Sequence, residues 1–237
     1  MLIKTKAIVI STLRYQEKSL IVKCFTKAVG VKSYFVYNAF SSSKSGQKIA
    51  YFQPMTILEI EASHKNKGTL ESFREVRLAV PFQTVNTDIV KSTIIMFLSE
   101  ILHHSIREEE KNEDLFTFLE TALHWLDNHD DVANFHLILL LEMTKFLGFY
   151  PDVSEISLDY FEMTEGVFTQ WHAVSCLSDH ETHLFKKLIA LRFACNQKIF
   201  NASDRQVLLK VLLDYYSIHL DGFKMPKSFE VLKDVFL

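Results

Sequence analysis

The sequence has few of the residues that interrupt or crosslink a chain: 6 Gly, 4 Pro and 3 Cys among 237 residues. With so little Gly and Pro, and 20 Phe, long elements joined by short connections are favoured over a loop-rich fold. Cys24, Cys176 and Cys195 are scattered and odd in number. They offer neither a disulfide framework nor paired metal ligands, which points to a reducing compartment. No apolar run is long enough to span a bilayer; the longest, at 135–141, contains His136 and is followed by Glu142 and Lys145. The first residues alternate in period two and lack a signal-peptide core and a small-residue cleavage site, so a cytoplasmic location is expected, without a membrane partner.

Catalytic signatures are also missing. There is no phosphate-binding Gly-rich loop, no dinucleotide fingerprint and no strand-turn-helix serine nucleophile. The 10 histidines are the only invitation to suspect an enzyme or a metal site. His180 and His183 flank Glu181, but their spacing does not place two imidazoles on one helical face. The carboxylate runs at Asp130-Asp131 and 108–110 fall at helix ends, where caps and solvated faces explain them. The chain is therefore expected not to be an enzyme, to hold no metal and to need no cofactor.

What is present is an asymmetry of charge. Residues 1–80 carry 13 Lys and Arg against 5 acidic residues, all Glu, a net charge of +8; residues 81–237 carry −11. Such a split predicts different partners for the two halves, with a polyanion the natural one for the first.

The hydropathy pattern changes at the same place. Residues 3–10, 20–26, 31–40, 55–62 and 70–80 read as β-strands, with a polar connection at 14–19, a turn at Gly30, a Ser-rich loop at 41–46 and a turn at 64–68. Five short strands in about 80 residues fit a small barrel, and periodicity does not separate an OB-type barrel from an SH3-like one. After Pro81 the period becomes helical at 89–106, 115–126, 132–147, 183–193, 203–219 and 228–236. The pairs Thr87-Asp88 and Ser203-Asp204 are expected as caps, and Gly148 as a stop. Between these helices, 159–168 reads as a short hairpin. The expected fold class is α+β: a barrel domain at 1–80 and an all-α domain at 81–237 with a small irregular hairpin insertion.

Candidate binding residues cluster in the first half. Arg14 and Lys18 lie in the first connection, Lys23 and Lys27 on and after the second strand, Lys32 on the third, and Lys44 and Lys48 in and after the Ser-rich loop. On an OB-type barrel these positions fall where a phosphate backbone passes, so a continuous positive surface is expected. Tyr34, Tyr37 and Phe40 are interleaved with the cations and offer faces for bases. Alternation puts Tyr34 and Phe40 on one face and Tyr37 on the other, so not all three can stack on bases.

In RYQEKSLIVKCFTKAVG at 14–30, Tyr15, Glu17 and Ser19 precede an apolar strand that ends in Phe25-Thr26, shortly before Gly30. Gln53-Pro54 and Leu58-Glu59 follow in the strand at 52–61, then Arg74-Glu75 and Pro81-Phe82 at 74–82. GFYPD at 148–152 and the tail at 225–236 come later in the chain. In this order the motifs resemble the landmarks of the RecO family. The resemblance implies an OB-fold followed by a helical domain. It implies binding of single- and double-stranded DNA, annealing of complementary strands, and cooperation with RecR to load the recombinase RecA onto DNA coated by single-stranded DNA-binding protein. The C-terminal tail of that coating protein would be held by the helical domain.

Two departures stand out. Many members carry a four-cysteine zinc module after the landmark at 148–152, whereas 153–200 holds only Cys176 and Cys195. Four thiolates cannot be assembled there, so the hairpin is expected to hold together through packing of Tyr160, Phe161 and Phe168. The loop after the third strand, arginine-rich in many relatives, reads YNAFSSSKSG here, which implies weaker or more distributed DNA contacts. The rival to a DNA-binding mediator is a protein-interaction adaptor whose barrel is only a scaffold.

Overall fold

The structure, a computed structural model, describes residues 1–40, 49–64, 70–106, 111–193 and 199–236. It divides into two compact units, Met1–Asn128 and His129–Leu237. The change from strand to helix near position 81 therefore lies inside the first unit.

Five strands of the first unit close into a barrel: β1 (Leu2–Tyr15), β2 (Ser19–Thr26), β3 (Gly30–Val36), β4 (Ile57–Ser63) and β5 (Glu71–Leu78). The order around it is β1-β2-β3-β5-β4, and β3 meets β5 in parallel at Tyr34–Glu71 and Phe35–Ser72 while the other pairs are antiparallel. This is an OB-fold topology. Alternation fills the interior with Ala7, Val9, Val22, Cys24, Leu58 and Ile60, and Tyr34 lies fully buried among them.

β1 runs five residues beyond its expected end. A register shift between Val9 and Ser11 bends it, so its first half pairs with β4 and its second half with β2. Arg14 consequently sits on the strand opposite Leu20, and the connection shrinks to 16–18, with Gln16 at φ 53°. β3 ends at Val36, short of Phe40, as the chain turns through Asn38 at φ 51°.

After the barrel the unit continues with α1 (Ile89–Ser105) and α2 (Glu113–Asn128). Asp88 caps α1, its side chain accepting from the Lys91 N–H at 2.9 Å. Ile8, Ile10 and Phe25 are buried although they face away from the barrel interior. The Phe25 ring lies 5.7 Å from Phe116 on α2, and Lys6 pairs with Glu120 at 2.7 Å. The connection from barrel to α1 is pinned by Asp127, whose carboxylate accepts from the backbone N–H groups of Gln83, Thr84 and Val85. The buried Lys91 ammonium donates to the Thr84 hydroxyl at 2.7 Å and the Asp127 carbonyl at 3.3 Å. These contacts are why the helices after position 81 belong to the barrel unit.

The second unit contains α3 (Phe135–Leu147), a hairpin of β6 (Tyr160–Glu162) and β7 (Val167–Thr169), α4 (Asp179–Ala190), α5 (Ala202–His219) and α6 (Phe229–Val235). Gly148 ends α3 in the left-handed conformation, φ 84°. α4 opens earlier than its apolar period suggests, behind a reciprocal capping box of Ser178 and Glu181. α5 is capped by Asn201, with Asp204 reaching back to it, in place of the expected Ser203-Asp204 pair.

The hairpin is held by rings. Phe161 and Phe168, both buried, lie 5.0 Å apart; Phe161 is 4.7 Å from Phe185 of α4 and 5.7 Å from Tyr215 of α5. Tyr160 contributes less: it is half-buried, with its ring edge-on to His172 at 5.1 Å. Gly166 turns the hairpin at φ 70°, and a Cβ there would lie 2.5 Å from the Tyr215 hydroxyl. Cys176 is free and half-buried; Cys195 lies outside the described residues.

Candidate nucleic-acid interface

The register of the barrel distributes the expected cations over several surfaces. Arg14, at the end of β1, donates to the Glu17 carbonyl at 3.0 Å and carries its guanidinium 4.8 Å above the Phe40 ring. Lys18 is exposed in the adjoining turn. Of the two, Arg14 meets an aromatic ring, that of Phe40.

The other lysines lie elsewhere. Lys23 faces outward opposite Ser33, and its ammonium donates to the His103 carbonyl at 3.3 Å, in the last turn of α1. A cation there complements the helix dipole. Burial, with the nearby Lys23 charge, holds the His103 imidazole below its ordinary range. Lys27 is half-buried at the opposite end of β2 from Lys18, with the strand between them spanning about 23 Å at roughly 3.3 Å per residue. Lys32 is opposite Cys24 and so projects to the interior face, half-buried near the barrel end. There His64 is held below its ordinary range by burial, with Lys32 adding to the effect against Glu71. Lys44 and Lys48 lie outside the described residues. Among the described residues, the expected cations do not form one stripe.

The aromatic candidates separate as well. Tyr34 is core: its hydroxyl shares a hydrogen bond with His64 Nε2 at 3.0 Å, and its ring stacks on Phe73 at 4.2 Å. Tyr37 is 75% exposed, which makes it available to a ligand. Phe40 is partly exposed beneath Arg14 and does not share a surface with Tyr34.

Around Tyr37 the barrel presents an aromatic surface that strand reading alone does not reveal. Tyr15 stands edge-on to Phe35 at 5.6 Å, and Phe35 lies 4.4 Å from Tyr37. This row borders a cleft of about 430 Å³ whose lining includes Phe35, Tyr37, Tyr51, Phe73 and Arg74. Its size falls in the range of ligand pockets. Arg74 at the rim is 69% exposed and pairs with Glu61 at 3.3 Å. The cleft exists because β3 and β5 meet only at two register positions before diverging, which leaves Tyr51, just ahead of β4, to form part of the wall. The lining carries one cation, Arg74, beside one carboxylate, Glu75, so the cleft can stack planar rings, with the exposed Arg74 able to reach a phosphate that joins them.

Comparison with known proteins gives the arrangement its context. The family model described as "Recombination protein O N terminal" matches residues 1–82, and "Recombination protein O C terminal" matches 86–228. The chain belongs to the RecO family. It is 70% identical to the DNA repair protein RecO of Flavobacterium johnsoniae and 69% identical to that of Flavobacterium psychrophilum, with both chains covered in full. The RecO of Bacteroides fragilis is 34% identical, again over the full length of both. The two RecO matches part at 82–86, where strands give way to helices, whereas the compact units part after Asn128. Among the described residues, no helix is long and apolar enough to cross a membrane.

Proposed function

We propose that the protein is a non-catalytic recombination mediator of DNA repair, acting in the cytoplasm. It binds single- and double-stranded DNA, anneals complementary strands and helps to load recombinase onto DNA coated by single-stranded DNA-binding protein. RecR and the C-terminal tail of the coating protein are its protein partners. Full-length identity to RecO proteins carries this reading. The aromatic row of Tyr15, Phe35 and Tyr37, bordering the cleft that Arg74 lines, supports a DNA-facing role for the barrel.

In this reading, phosphates contact Arg14, Lys18 and Arg74, and the rings of Tyr37 and Phe35 stack on bases. Lys44 and Lys48, outside the described residues, stay candidates for phosphate contact. Lys23 and Lys32 act by supporting the barrel and its helix.

The deciding experiment is annealing of complementary oligonucleotides precoated with the cognate single-stranded DNA-binding protein. Acceleration over the coated strands alone is expected; an unchanged rate would remove the mediator reading. The internal engagement of Lys23 gives the adaptor reading one specific support. Pull-down with and without nuclease separates the two. Partners that survive nuclease, together with no oligonucleotide binding by the full chain, would leave the adaptor.

A further inference from the structure

The second unit carries an acidic surface with exposed apolar side chains. Residues 146–185 contain seven Asp and Glu and no Lys or Arg. Asp152, Glu155, Asp159, Glu165 and Asp179 are exposed. Hydrogen bonds from the Ser154 backbone N–H and hydroxyl hold the Asp152 carboxyl below its usual range. Burial alone would raise Glu162, but donation from the Ser175 hydroxyl and from the backbone of Glu165 and Thr164 outweighs it and keeps the group low. This negative charge therefore persists well into mild acid.

From the same surface the loop after β7 extends two large apolar side chains into water. Trp171 is 80% exposed and Val174 is fully so. The loop is clasped. The Trp171 N–H donates to the Thr169 hydroxyl at 3.1 Å, and the Cys176 thiol accepts from the Ala173 N–H at 3.4 Å while donating to the Trp171 carbonyl at 3.7 Å. The Met163 N–H donates to the Ser175 carbonyl at 3.1 Å and ties the loop to β6. Tyr160, at the start of β6, supports the His172 ring. A large apolar side chain left in water forgoes its burial energy, and here a fixed backbone holds it out.

We propose that the loop at 170–176 is a docking surface for a cationic segment of a partner protein. The Trp171 indole receives a Lys or Arg side chain over its face, and Val174 adds apolar contact. The surrounding carboxylates set the sign of the partner. An indole attracts cations through its ring quadrupole, and Trp is among the residues most often dominating interfaces. Charge complementarity selects the class of partner: a phosphate chain is repelled by this surface, whereas a Lys- or Arg-bearing segment is drawn to it. The proposal does not depend on how the barrel meets DNA.

The test titrates the full-length protein with a fluorescent peptide of alternating Arg and Ser, beside a control of alternating Glu and Ser. The Arg peptide should bind and the Glu peptide should not. Trp171→Ala should weaken binding by about tenfold, as loss of an aromatic anchor does. Asp159→Lys combined with Glu165→Lys should abolish it. Both variants should keep the wild-type thermal midpoint, since neither site is buried, and Trp171→Ala should also keep the oligonucleotide affinity. Binding by Trp171→Ala equal to wild type would overturn the proposal, because charge alone would then explain it. Loss of oligonucleotide affinity in that variant would overturn it in favour of base stacking. Self-association that requires Trp171 without peptide would overturn it in favour of a second copy of the chain.

Discussion

Lys23 and Lys32 occupy diagonal positions on the β2–β3 ladder, Lys23 opposite Ser33 and Lys32 opposite Cys24, and they project from opposite faces of the barrel wall. Lys23 meets the end of α1, whereas Lys32 enters the interior near His64. Two cations that look equivalent along the chain therefore have different tasks. Lys23→Glu is expected to lower stability by about 1 kcal/mol, since it sets an anion against the carbonyl end of a helix. Thermal denaturation measures this.

Arg14→Glu with Lys18→Glu should act on binding instead. Both side chains are exposed. The double variant should keep the wild-type melting temperature and bind every oligonucleotide sequence more weakly. Its salt dependence for single strands should be shallower by about 1.4, at roughly 0.7 per lost phosphate contact. Fluorescence titration at several salt concentrations reads both effects. An unchanged slope would move the contact away from this end of β1.

Tyr37→Ala and Phe35→Ala are expected to weaken single-stranded binding by about 1–3 kcal/mol each, the worth of a stacked base. Duplex binding should change less, because paired bases do not offer their faces. Tyr34→Ala should behave in the opposite way. Its ring is fully buried on Phe73, so the protein should lose several kcal/mol of stability, in the manner of other large-to-small core changes.

The strand and helix periods were legible in the chain because each face repeats its own chemistry. So was the exposure of Tyr37, once Tyr34 is taken as core. The same alternation places Lys32 with Tyr34 inside the barrel, a consequence that charge counting overlooks. Other features depend on partners far away in sequence. That α1 covers the outer face at Lys23 follows from tertiary packing, as does the parallel meeting of β3 and β5 that sets Tyr51, Phe73 and Arg74 around one cleft. No local pattern marks those three residues as neighbours. The cap of α5 lies two residues before the expected Ser203, which is itself a good cap residue like Asp204; the reciprocal bonds of Asn201 and Asp204 decide it.

Gly166→Ala should destabilise the second unit by more than about 1 kcal/mol, because φ is positive and the new methyl group meets the Tyr215 hydroxyl. Removing that hydroxyl with Tyr215→Phe should recover part of the loss, although it also deletes the hydrogen bond to the Phe149 carbonyl at 3.0 Å. A double-mutant cycle followed by thermal melting would show the coupling. Additive effects would mean that the turn relaxes away from α5.

His136 predicts an acid-sensitive second unit. Burial, with the nearby Arg205 charge, lowers its pKa to about 3. Its Nδ1 is buried without a hydrogen bond, and its ring stacks on Phe236 at 4.9 Å. Because the folded value lies below the unfolded one, the unfolded chain binds the extra proton. Stability is full above the ordinary histidine value of about 6.5 and declines as pH falls from there towards 3. His136→Phe should flatten this part of the stability profile. An equally steep acid loss in that variant would assign the effect to other groups.

The bent first strand has a kinetic consequence. A single continuous segment serves as the neighbour of both the strand that follows it and one some fifty residues later. Neither hairpin can complete a half-barrel alone, so closure waits on distant parts of the chain meeting, which makes folding slow for its size. The binding surface would then arise in one cooperative step, and a nascent chain would have no grip on DNA until that step is complete.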